Sequence, residues 1–445
     1  MTEKNKRVAF YTLGCRVNQY ETRALEEAFE KLGFEIGSFD EKCDVYVINT
    51  CTVTAESDRK SRQMIRRARK NGGEEAVVCV MGCMTQTLKE KDTGILEKAD
   101  FAVGTRDKMQ IPEMACKLLQ DKTLKIKKFM PTDFEKAAGI EKMQIAESDT
   151  TRAFLKISDG CNNNCSYCII PKARGPVCSK SREDVCEEVI KLCENGWREI
   201  VLTGIETAAY GKDLSAGINL ASLVEDVNAL ECALMRIRLG SLEPAFVKPE
   251  IVERFASCNK LMPHYHLSLQ SGCDRILAAM RRKYNTAQFY KTLCVLREHI
   301  PEVTFTTDII VGFPGETEEM FEETCEYVKK CEFLYVHIFP YSDRAGTDAS
   351  KMQGKLSDSE KKHRAAVLKE VMLETRRKVL EKYEATQRAV LVETVEDGIA
   401  SGHTDNFIEV KFETNNYTGI QNNDIVTVTL GKPSEDMEFV NAEIS

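Results

Sequence analysis

Two long stretches of this 445-residue chain alternate short apolar runs with amphipathic helical patterns. Such alternation favours parallel sheets covered by helices over an all-helical or all-strand fold. In the first stretch the strand-like runs are Val8–Leu13, Val45–Asn49, Val77–Met81 and Phe101–Val103. Helical patterns such as Gln19–Leu32 and Ser57–Asn71 lie between them. We therefore predict an α/β fold that begins with an open parallel sheet domain over residues 5–105.

The second stretch repeats strand signals at the intervals of a (βα) barrel. The predicted strands are Ala153–Ile157, Glu199–Leu202, Arg236–Leu239, Tyr265–Leu269, Thr304–Val311 and Tyr335–Phe339. Helical patterns such as Arg182–Asn195 and Thr286–His299 separate them. Six such units predict a (βα)6 partial TIM barrel over residues 151–375. Its site should lie on the loops that follow the strand ends.

The remaining segments have a different texture. Residues 106–150 are charged and weakly periodic, and we interpret them as a linker with some helix. A basic helix at about 358–383 is followed by three runs that alternate with a period of two. They begin at Arg388, Phe407 and Asp424. This pattern predicts a small antiparallel β-barrel over residues 380–445.

Three cysteines stand in a C-x3-C-x2-C spacing directly after the first barrel strand, at Cys161, Cys165 and Cys168. A structural zinc site uses four closed ligands, and an ordinary electron-carrying iron–sulfur cluster uses four cysteines. Three thiolates on a four-iron cluster leave one iron free to bind a small molecule. Zinc with a distant fourth ligand is the alternative interpretation of the same loop.

A second set of cysteines follows the strands of the N-terminal sheet. Cys15, Cys51 and Cys83 each come after a small residue at the carboxyl end of a different predicted strand. Open α/β sheets build their sites at that edge, so the three thiols should converge there. Three unrelated core cysteines are the alternative, but they would not repeat one strand position three times.

Composition limits where these cysteines operate. The chain has no apolar leader at its start and no run long enough to cross a bilayer, so we expect a cytoplasmic protein without a membrane partner. Eighteen cysteines in a reducing compartment indicate metal or cluster ligation rather than a disulfide framework. The net charge of −8 does not suggest nucleic acid, but residues 59–70 hold seven basic residues and no acidic one. That run indicates either an RNA contact or a solvated helix face.

The loops after the barrel strands carry small and polar residues suited to a charged nucleoside cofactor. The candidates are Thr203, Gly204, Glu206, Ser241, Gln270 and Gly312. A small residue would let backbone approach the cofactor, and Glu206 would pair with an ammonium group. Arg174 and Arg182 are further candidates for holding a carboxylate or the cofactor, although a surface position is expected for either one taken alone.

Four motifs together resemble the methylthiotransferase family of radical S-adenosylmethionine (SAM) enzymes, from one end of the chain to the other. They are Tyr11-Thr-Leu-Gly-Cys15-Arg-Val-Asn-Gln-Tyr-Glu-Thr22, Asn49-Thr-Cys51-Thr-Val-Thr54, Gly82-Cys83-Met-Thr-Gln86, and the run from Asp159 to Gly175. The resemblance implies a radical SAM core in the middle and a TRAM-type RNA-binding barrel at the C-terminus.

The resemblance also implies cofactors and partners. Cys161, Cys165 and Cys168 would hold a [4Fe-4S] cluster that binds SAM, with Tyr167 in the same loop near the cofactor. Cys15, Cys51 and Cys83 would hold an auxiliary [4Fe-4S] cluster with its own open iron. In the family, a 5′-deoxyadenosyl radical removes hydrogen from an unactivated carbon, which then receives a methylthio group. The partners implied are a tRNA anticodon loop and a reducing electron donor such as flavodoxin or ferredoxin.

Three local sequences favour one branch of the family, which acts on N6-threonylcarbamoyladenosine at position 37 of tRNA. They are Asn18-Gln-Tyr-Glu-Thr22, Leu202-Thr-Gly-Ile205 and Arg238-Leu-Gly-Ser-Leu-Glu-Pro244. N6-isopentenyladenosine in tRNA and an aspartate of a ribosomal protein remain alternative substrates. Glu206 stands where relatives more often have histidine, so its role is open. A non-catalytic RNA-binding protein with structural metal clusters is the alternative from a different class.

Overall fold

The computed structural model describes residues 6–88, 90–124, 129–136, 139–148, 150–414 and 419–445. Residue 5, the expected start of the first domain, lies outside these ranges, as do parts of the expected linker.

The N-terminal part is a parallel sheet covered by helices, as predicted. Its elements are β1 (Arg7–Thr12), α1 (Arg16–Lys31), β2 (Glu35–Gly37), β3 (Val45–Thr50), α2 (Ala55–Gly72), β4 (Val77–Gly82), α3 (Cys83–Thr87), β5 (Phe101–Val103), α4 (Ile111–Gln120) and β6 (Phe129–Met130). The sheet order is β2-β1-β3-β4-β5-β6. Strands β3 and β4 are buried along their whole length because helices cover both faces of the sheet.

The segment expected to be a linker belongs partly to this sheet, which corrects that expectation. It supplies α4, whose periodic apolar residues pack on β4 and β5, and β6, which pairs with β5 in parallel. Its many lysines hid this role, since a two-residue edge strand has too few positions to show a period.

The central part is the predicted partial barrel. Its elements are β7 (Arg152–Lys156), β8 (Ser158–Asp159), α5 (Ile170–Arg174), β9 (Cys178–Ser179), α6 (Arg182–Glu194), β10 (Glu199–Thr203), α7 (Leu220–Ala229), β11 (Arg236–Leu239), α8 (Pro249–Ala256), β12 (His264–His266), α9 (Asp274–Ala279), α10 (Thr286–His299), β13 (Thr304–Val311), α11 (Glu318–Cys331), β14 (Tyr335–Pro340) and α12 (Asp358–Glu381). Two three-stranded parallel sheets, β7-β10-β11 and β12-β13-β14, are joined by single bridges between Ile237 and Leu261 and between Leu242 and Leu267.

Helix α1 fixes the N-terminal sheet to this barrel. Its Tyr20 and Ala24 belong to the same buried core as the barrel strands and helices. The Tyr20 hydroxyl lies 2.7 Å from both the Met143 carbonyl oxygen and the Glu188 carboxylate of α6. Because the hydrogen-bonded Tyr20 ring is buried between the N-terminal sheet and the barrel, it fixes the strand ends of the sheet relative to those of the barrel.

The C-terminal part is a closed five-stranded barrel. Its strands are β15 (Gln387–Glu396), β16 (Ile399–Thr404), β17 (Glu409–Glu413), β18 (Ile425–Pro433) and β19 (Val440–Ile444). The order is β15-β16-β17-β19-β18. The pairing is antiparallel, as predicted, except between β17 and β19, which run parallel. No helix among the described residues has the length and apolar character needed to span a membrane.

Candidate active site

Two glycines explain why a small residue precedes the N-terminal cysteines. Gly14 and Gly82 both have φ near +104°, a conformation that side chains rarely adopt. A Cβ on Gly14 would lie 3.1 Å from the Cys51 sulfur, and one on Gly82 would lie 2.5 Å from the Thr50 carbonyl oxygen. The glycines therefore turn the chain sharply at the strand ends and bring the cysteine-bearing loops close together.

These three cysteines differ in exposure but act electrostatically on one another. Cys51 and Cys83 are buried, whereas Cys15 is exposed. Burial raises the pKa of the Cys83 thiol to about 11, and the neighbouring Cys51 and Cys15 contribute in the same direction. Burial likewise raises the pKa of Cys51. Thiols of this kind lose their protons when a metal centre binds them, which couples cluster binding to proton release.

Arg174 connects the N-terminal cysteines to the barrel. Its guanidinium is fully buried and its Nε lies 3.4 Å from the Cys83 sulfur. Its Nη1 lies 2.8 Å from Glu21 Oε1 and 3.0 Å from Asp159 Oδ2, and Nη2 donates to Asn18 Oδ1. The expectation of a surface arginine was therefore wrong for Arg174. Arg182 does lie at the surface, where it pairs with Asp226.

A buried charge network surrounds Arg174, and the sequence reasoning missed it. Lys108 and Lys156 lie 2.7 and 2.8 Å from Glu21 Oε1, and Lys156 lies 2.6 Å from Asp159. Burial alone would raise the pKa of Glu21, but Arg174, Lys108 and Lys156 hold it well below 4.5. The only available signal was positional, since Glu21 and Asp159 lie inside the cysteine motifs and Lys156 lies three residues before one of them.

The barrel cysteines lie on one loop between β8 and α5. The Cys161 N–H donates to the Gly175 carbonyl oxygen at 3.0 Å, and the Cys168 N–H donates to the Cys165 carbonyl oxygen at 3.1 Å. Burial raises the pKa of Cys161 to about 11 and that of Cys168 to about 12. The loop is therefore closed on itself with its thiols gathered in one partly buried place.

Donors aimed at sulfur mark both sets of cysteines. The Asn163 N–H lies 3.4 Å from the Cys161 sulfur, and Arg282 Nη1 lies 3.2 Å from the Cys165 sulfur. In the N-terminal set, the Val53 N–H lies 3.5 Å from the Cys51 sulfur and Arg174 lies near Cys83. N–H donors to sulfur stabilise cluster-bound thiolates and tune the cluster potential. The residues present thus suit a bound iron–sulfur cluster at each place.

Glu206 has the features of a cation-binding group. It lies in the loop after β10, and its Oε2 accepts a hydrogen bond from Asn163 Nδ2 at 3.2 Å. Its Oε1 is buried and has no hydrogen-bond partner among the residues that the structure describes. Burial and the neighbouring Glu243 raise the pKa of Glu206 to about 7. A bound ammonium group would satisfy Oε1 and restore the charged form.

Both candidate glycines lie in tight packing that leaves no room for a side chain. A Cβ on Gly204 would lie 2.2 Å from Ser158 Oγ. Gly312 has φ near +72°, and a Cβ there would lie 2.4 Å from the Lys361 side chain on α12. The cofactor contacts expected at Gly204 and Gly312 stay predictions.

The other candidates line different parts of the barrel mouth. Thr203 is buried and its carbonyl oxygen accepts from the Ile157 N–H, while Ser241 is exposed. Tyr167 packs against a small cluster that includes Phe313. Gln270 has φ near +73°, uncommon for a non-glycine residue, and bridges the backbone of β13.

A cavity of about 1050 Å³ lies where the N-terminal sheet meets the barrel. Thr52, Met84 and Ile169 line it, and each directly follows a candidate ligand, namely Cys51, Cys83 or Cys168. Basic side chains from four parts of the chain also line it: Arg62, Arg66, Lys98, Lys172 and Arg344, the last of which pairs with Asp58 on the same wall. The cavity therefore joins the surroundings of both cysteine sets to a positively charged wall.

Fold and cysteine loop together define a radical SAM protein. Residues 155–328 match the radical SAM superfamily, and residues 7–104 match the uncharacterized protein family UPF0004. Membership of the first implies a [4Fe-4S] cluster and SAM. Among solved structures, the radical SAM methyltransferase TsrM from Kitasatospora setae has a TM-score of 0.57 at 13% identity, covering 89% of this chain and 81% of that one. This likeness concerns the fold alone.

Curated relatives narrow the class. The threonylcarbamoyladenosine tRNA methylthiotransferase MtaB of Bacillus subtilis is 38% identical over 91% of this chain and 90% of its own. The protein of the same name from Aquifex aeolicus is 37% identical over 92% and 97%. A tRNA-2-methylthio-N(6)-dimethylallyladenosine synthase of Alkaliphilus oremlandii is 32% identical over 88% and 83%. The chain belongs to the radical SAM methylthiotransferase family.

Proposed function

We propose that this protein is a tRNA methylthiotransferase that converts N6-threonylcarbamoyladenosine at position 37 into its 2-methylthio derivative. It would use two [4Fe-4S] clusters, SAM, and a low-potential electron donor such as flavodoxin or ferredoxin. Cys161, Cys165 and Cys168 would hold the SAM-binding cluster, and Cys15, Cys51 and Cys83 the auxiliary cluster. When bound, these groups supply the adenosyl radical and the methylthio group; the protein supplies orientation and exclusion of water.

The observation that carries the proposal is the shared cavity. Its wall includes the residues next to Cys51, Cys83 and Cys168, so one substrate base could be reached from both cysteine sets. Transfer of a methylthio group after hydrogen removal needs both centres at one carbon atom. A base of a single-stranded anticodon loop can be turned out into such a cavity at modest unstacking cost.

The residues of the chain have assigned roles in this proposal. Arg62 and Arg66 would hold the phosphates that flank the target base, as basic side chains on a cavity wall do. Glu206 would bind the ammonium group of SAM through its Oε1, which has no hydrogen-bond partner within the described ranges. Arg174 and Arg282 would hold Cys83 and Cys165 in place by donating to their sulfurs.

Two kinds of support favour the threonylcarbamoyl substrate. The relatives of 37–38% identity carry that substrate in their names, whereas the synthases named for dimethylallyladenosine are at 32–33%. The local sequences at Asn18–Thr22 and after β10 and β11 favour the same branch. The isopentenyl substrate remains the second candidate, because those synthases also match most of the chain.

Anaerobic reconstitution with iron and sulfide tests the enzyme assignment. With dithionite and SAM, the protein should release 5′-deoxyadenosine, and nucleoside analysis should show the 2-methylthio product only on tRNA carrying threonylcarbamoyladenosine. Product on isopentenyl tRNA would overturn the substrate assignment. Bound zinc without 5′-deoxyadenosine release would favour the non-catalytic RNA-binding alternative.

A single cysteine variant separates the two sets. Cys15→Ala should still cleave SAM but form no methylthio product, because only the auxiliary set is broken. Cys294→Ala, an exposed cysteine on α10, is the matched control and should retain both activities. Loss of both activities in Cys15→Ala would indicate a folding role for Cys15.

A further inference from the structure

Three side chains inside the barrel form a cluster to which the proposed reaction assigns no role. His266 on β12, Asp308 on β13 and His337 on β14 have their ligand atoms within 4.8 Å of one another. They lie on three adjacent parallel strands, where Asp308 pairs with His337 and His266 pairs with Thr306. Because the register fixes the strands, the three groups form a preorganised set rather than a chance surface meeting.

The cluster faces the lumen of the partial barrel. Side chains alternate along a strand, and Tyr265, Ile309 and Val336 pack into the core beneath the helices. Their neighbours His266, Asp308 and His337 therefore point to the opposite, inner side. His266 and Asp308 are 14% and 27% exposed, while His337 is exposed, so the cluster is shielded at its base and open on one side.

The geometry between His266 and Asp308 is not that of a hydrogen bond. Their Nε2 and Oδ2 atoms lie 3.2 Å apart, yet the buried His266 Nε2 has no hydrogen-bond partner in the described part of the chain. An N–H on that atom is therefore not aimed at the carboxylate. A nitrogen and an oxygen that ligate one metal at about 2.1 Å lie roughly 3.0–3.4 Å apart, without pointing at each other.

The other ring nitrogen of His266 is held by a second layer of contacts. His266 Nδ1 lies 2.9 Å from Thr306 Oγ1, which also lies 3.0 Å from His264 Nε2. If the Thr306 hydroxyl donates to His264, it accepts from His266 Nδ1–H and leaves the Nε2 lone pair free. Metal-binding histidines are oriented in this way by a partner on the second nitrogen.

The C-terminal barrel closes the lumen below this cluster. Phe407 stacks on His264 with ring centroids 4.3 Å apart, and Thr304 Oγ1 donates to the Asn406 carbonyl oxygen. The open side of the cluster therefore faces up the lumen. There, two residues beyond His266, the Ser268 carbonyl oxygen accepts from Arg282, which also contacts the Cys165 sulfur. Two strand residues span about 7 Å, so the cluster lies close below the cysteine loop.

We propose that His266, Asp308 and His337 bind one divalent transition-metal ion, and that its open positions accept the carboxylate of the substrate. Two histidines and one carboxylate suit iron(II), zinc, manganese or cobalt and leave coordination positions for an oxygen ligand. The carboxylate part rests on the proposed function, since threonylcarbamoyladenosine carries a carboxylate and isopentenyladenosine carries none. The ion would thereby select the threonylcarbamoyl substrate.

Cobalt(II) binding to the cluster-loaded protein tests the metal site. With both iron–sulfur clusters in the EPR-silent oxidised state, Co²⁺ should bind at one equivalent per chain and give a high-spin signal with nitrogen coupling. His337→Gln and Asp308→Asn should weaken binding at least tenfold with iron content unchanged. His363→Gln, an exposed histidine on α12, is the matched control and should bind as the parent does. Equal Co²⁺ binding in all four proteins would overturn the site.

The nucleosides themselves test the carboxylate part. Adding N6-threonylcarbamoyladenosine to the Co²⁺-loaded protein should shift the cobalt spectrum, while N6-isopentenyladenosine should leave it unchanged. A spectrum that responds to neither nucleoside would overturn the carboxylate assignment. Because this readout needs no turnover, it is separate from product formation, which decides the proposed function.

Discussion

The two cysteine sets reach similar surroundings by different routes. Cys161, Cys165 and Cys168 lie on one loop, and their spacing alone brings the thiols together. Cys15, Cys51 and Cys83 come from three strand ends and meet only because the parallel sheet aligns those ends. In a local motif the short loop itself fixes the positions of the thiols. In a dispersed motif the thiol positions depend on the tertiary contacts that stabilise the fold.

The two cysteine sets also differ in the surroundings of the arginine that contacts each of them. Arg174 near Cys83 is fully buried in a network of charges that spans the N-terminal sheet and the barrel. Arg282 near Cys165 is 6% exposed, with Glu243 as its ion-pair partner. We infer that the first arginine is needed for stability and sulfur geometry together, and the second mainly for the chemistry of the loop.

The largest expected effect is that of Arg174→Met. Removing the guanidinium leaves Glu21 and Asp159 short of a buried partner, and breaking such a pair costs about 3–5 kcal/mol. The free energy of urea unfolding should fall by that amount. Arg182→Met, which removes a partly exposed ion pair with Asp226, should change it by less than about 1 kcal/mol. Equal unfolding free energies for the two variants would contradict the structural role assigned to Arg174.

Glu206→Gln should change how stability depends on pH. The folded pKa of Glu206 lies near 7, above its ordinary value of 4.5, so the folded state binds more protons between these values. Stability contributed by the protonated form is therefore present at pH 5 and lost as the pH rises through 7, by up to about 3 kcal/mol. The variant should lose less stability between pH 5.5 and pH 8, measured by thermal unfolding.

Glu21 should behave in the opposite direction, which sharpens the comparison. Its folded pKa is lowered, so its stabilising ion pairs are present above pH 4.5 and are lost as the pH falls through the folded value. Acid unfolding of the wild-type protein and of Glu21→Gln measures this contribution. If stability fell with pH in the same way in both proteins, the result would contradict the assigned network.

Arg282→Lys should impair the barrel site with little effect on the other. Lysine keeps the charge but loses the fork that contacts Cys165 and Glu243 together. We expect 5′-deoxyadenosine release to fall about tenfold, the loss of one charge-assisted hydrogen bond. Arg281→Lys, at an exposed neighbour paired with Asp348, should retain full release. An equal decrease in both variants would show a nonspecific effect of the segment.

The smallest effect concerns the cavity wall. Arg62→Ala with Arg66→Ala should weaken tRNA binding and lower the slope of log affinity against log salt by about one to two, one unit per phosphate contact. Arg67→Ala on the same helix, whose side chain pairs with Asp40, should leave the slope unchanged. Filter binding at several salt concentrations measures both, and an identical slope in the double variant would exclude this wall as a phosphate contact.

Sequence reasoning recovered the three-part architecture because its signals are periodic or local. Strand periodicity, the Gly–Cys turns and the loop spacing each act over a few residues. Arg174 was misjudged because its partners Glu21 and Asp159 are up to 153 positions away in the sequence. Without them, the sequence does not distinguish a buried arginine from an exposed one. The parallel pairing of β17 with β19 was not predicted for a different reason. The relative direction of two paired strands depends on the path of the chain between them and not on composition.

Iron counting on the reconstituted protein tests the central claim, that the two cysteine sets hold separate clusters. The wild-type protein should bind about eight irons per chain, as two four-iron clusters require. Replacing Cys15, Cys51 and Cys83 by alanine, or Cys161, Cys165 and Cys168, should leave about four in each variant, with Mössbauer spectra of one [4Fe-4S] cluster. A folded variant of either kind that keeps all the iron or loses all of it would contradict the account.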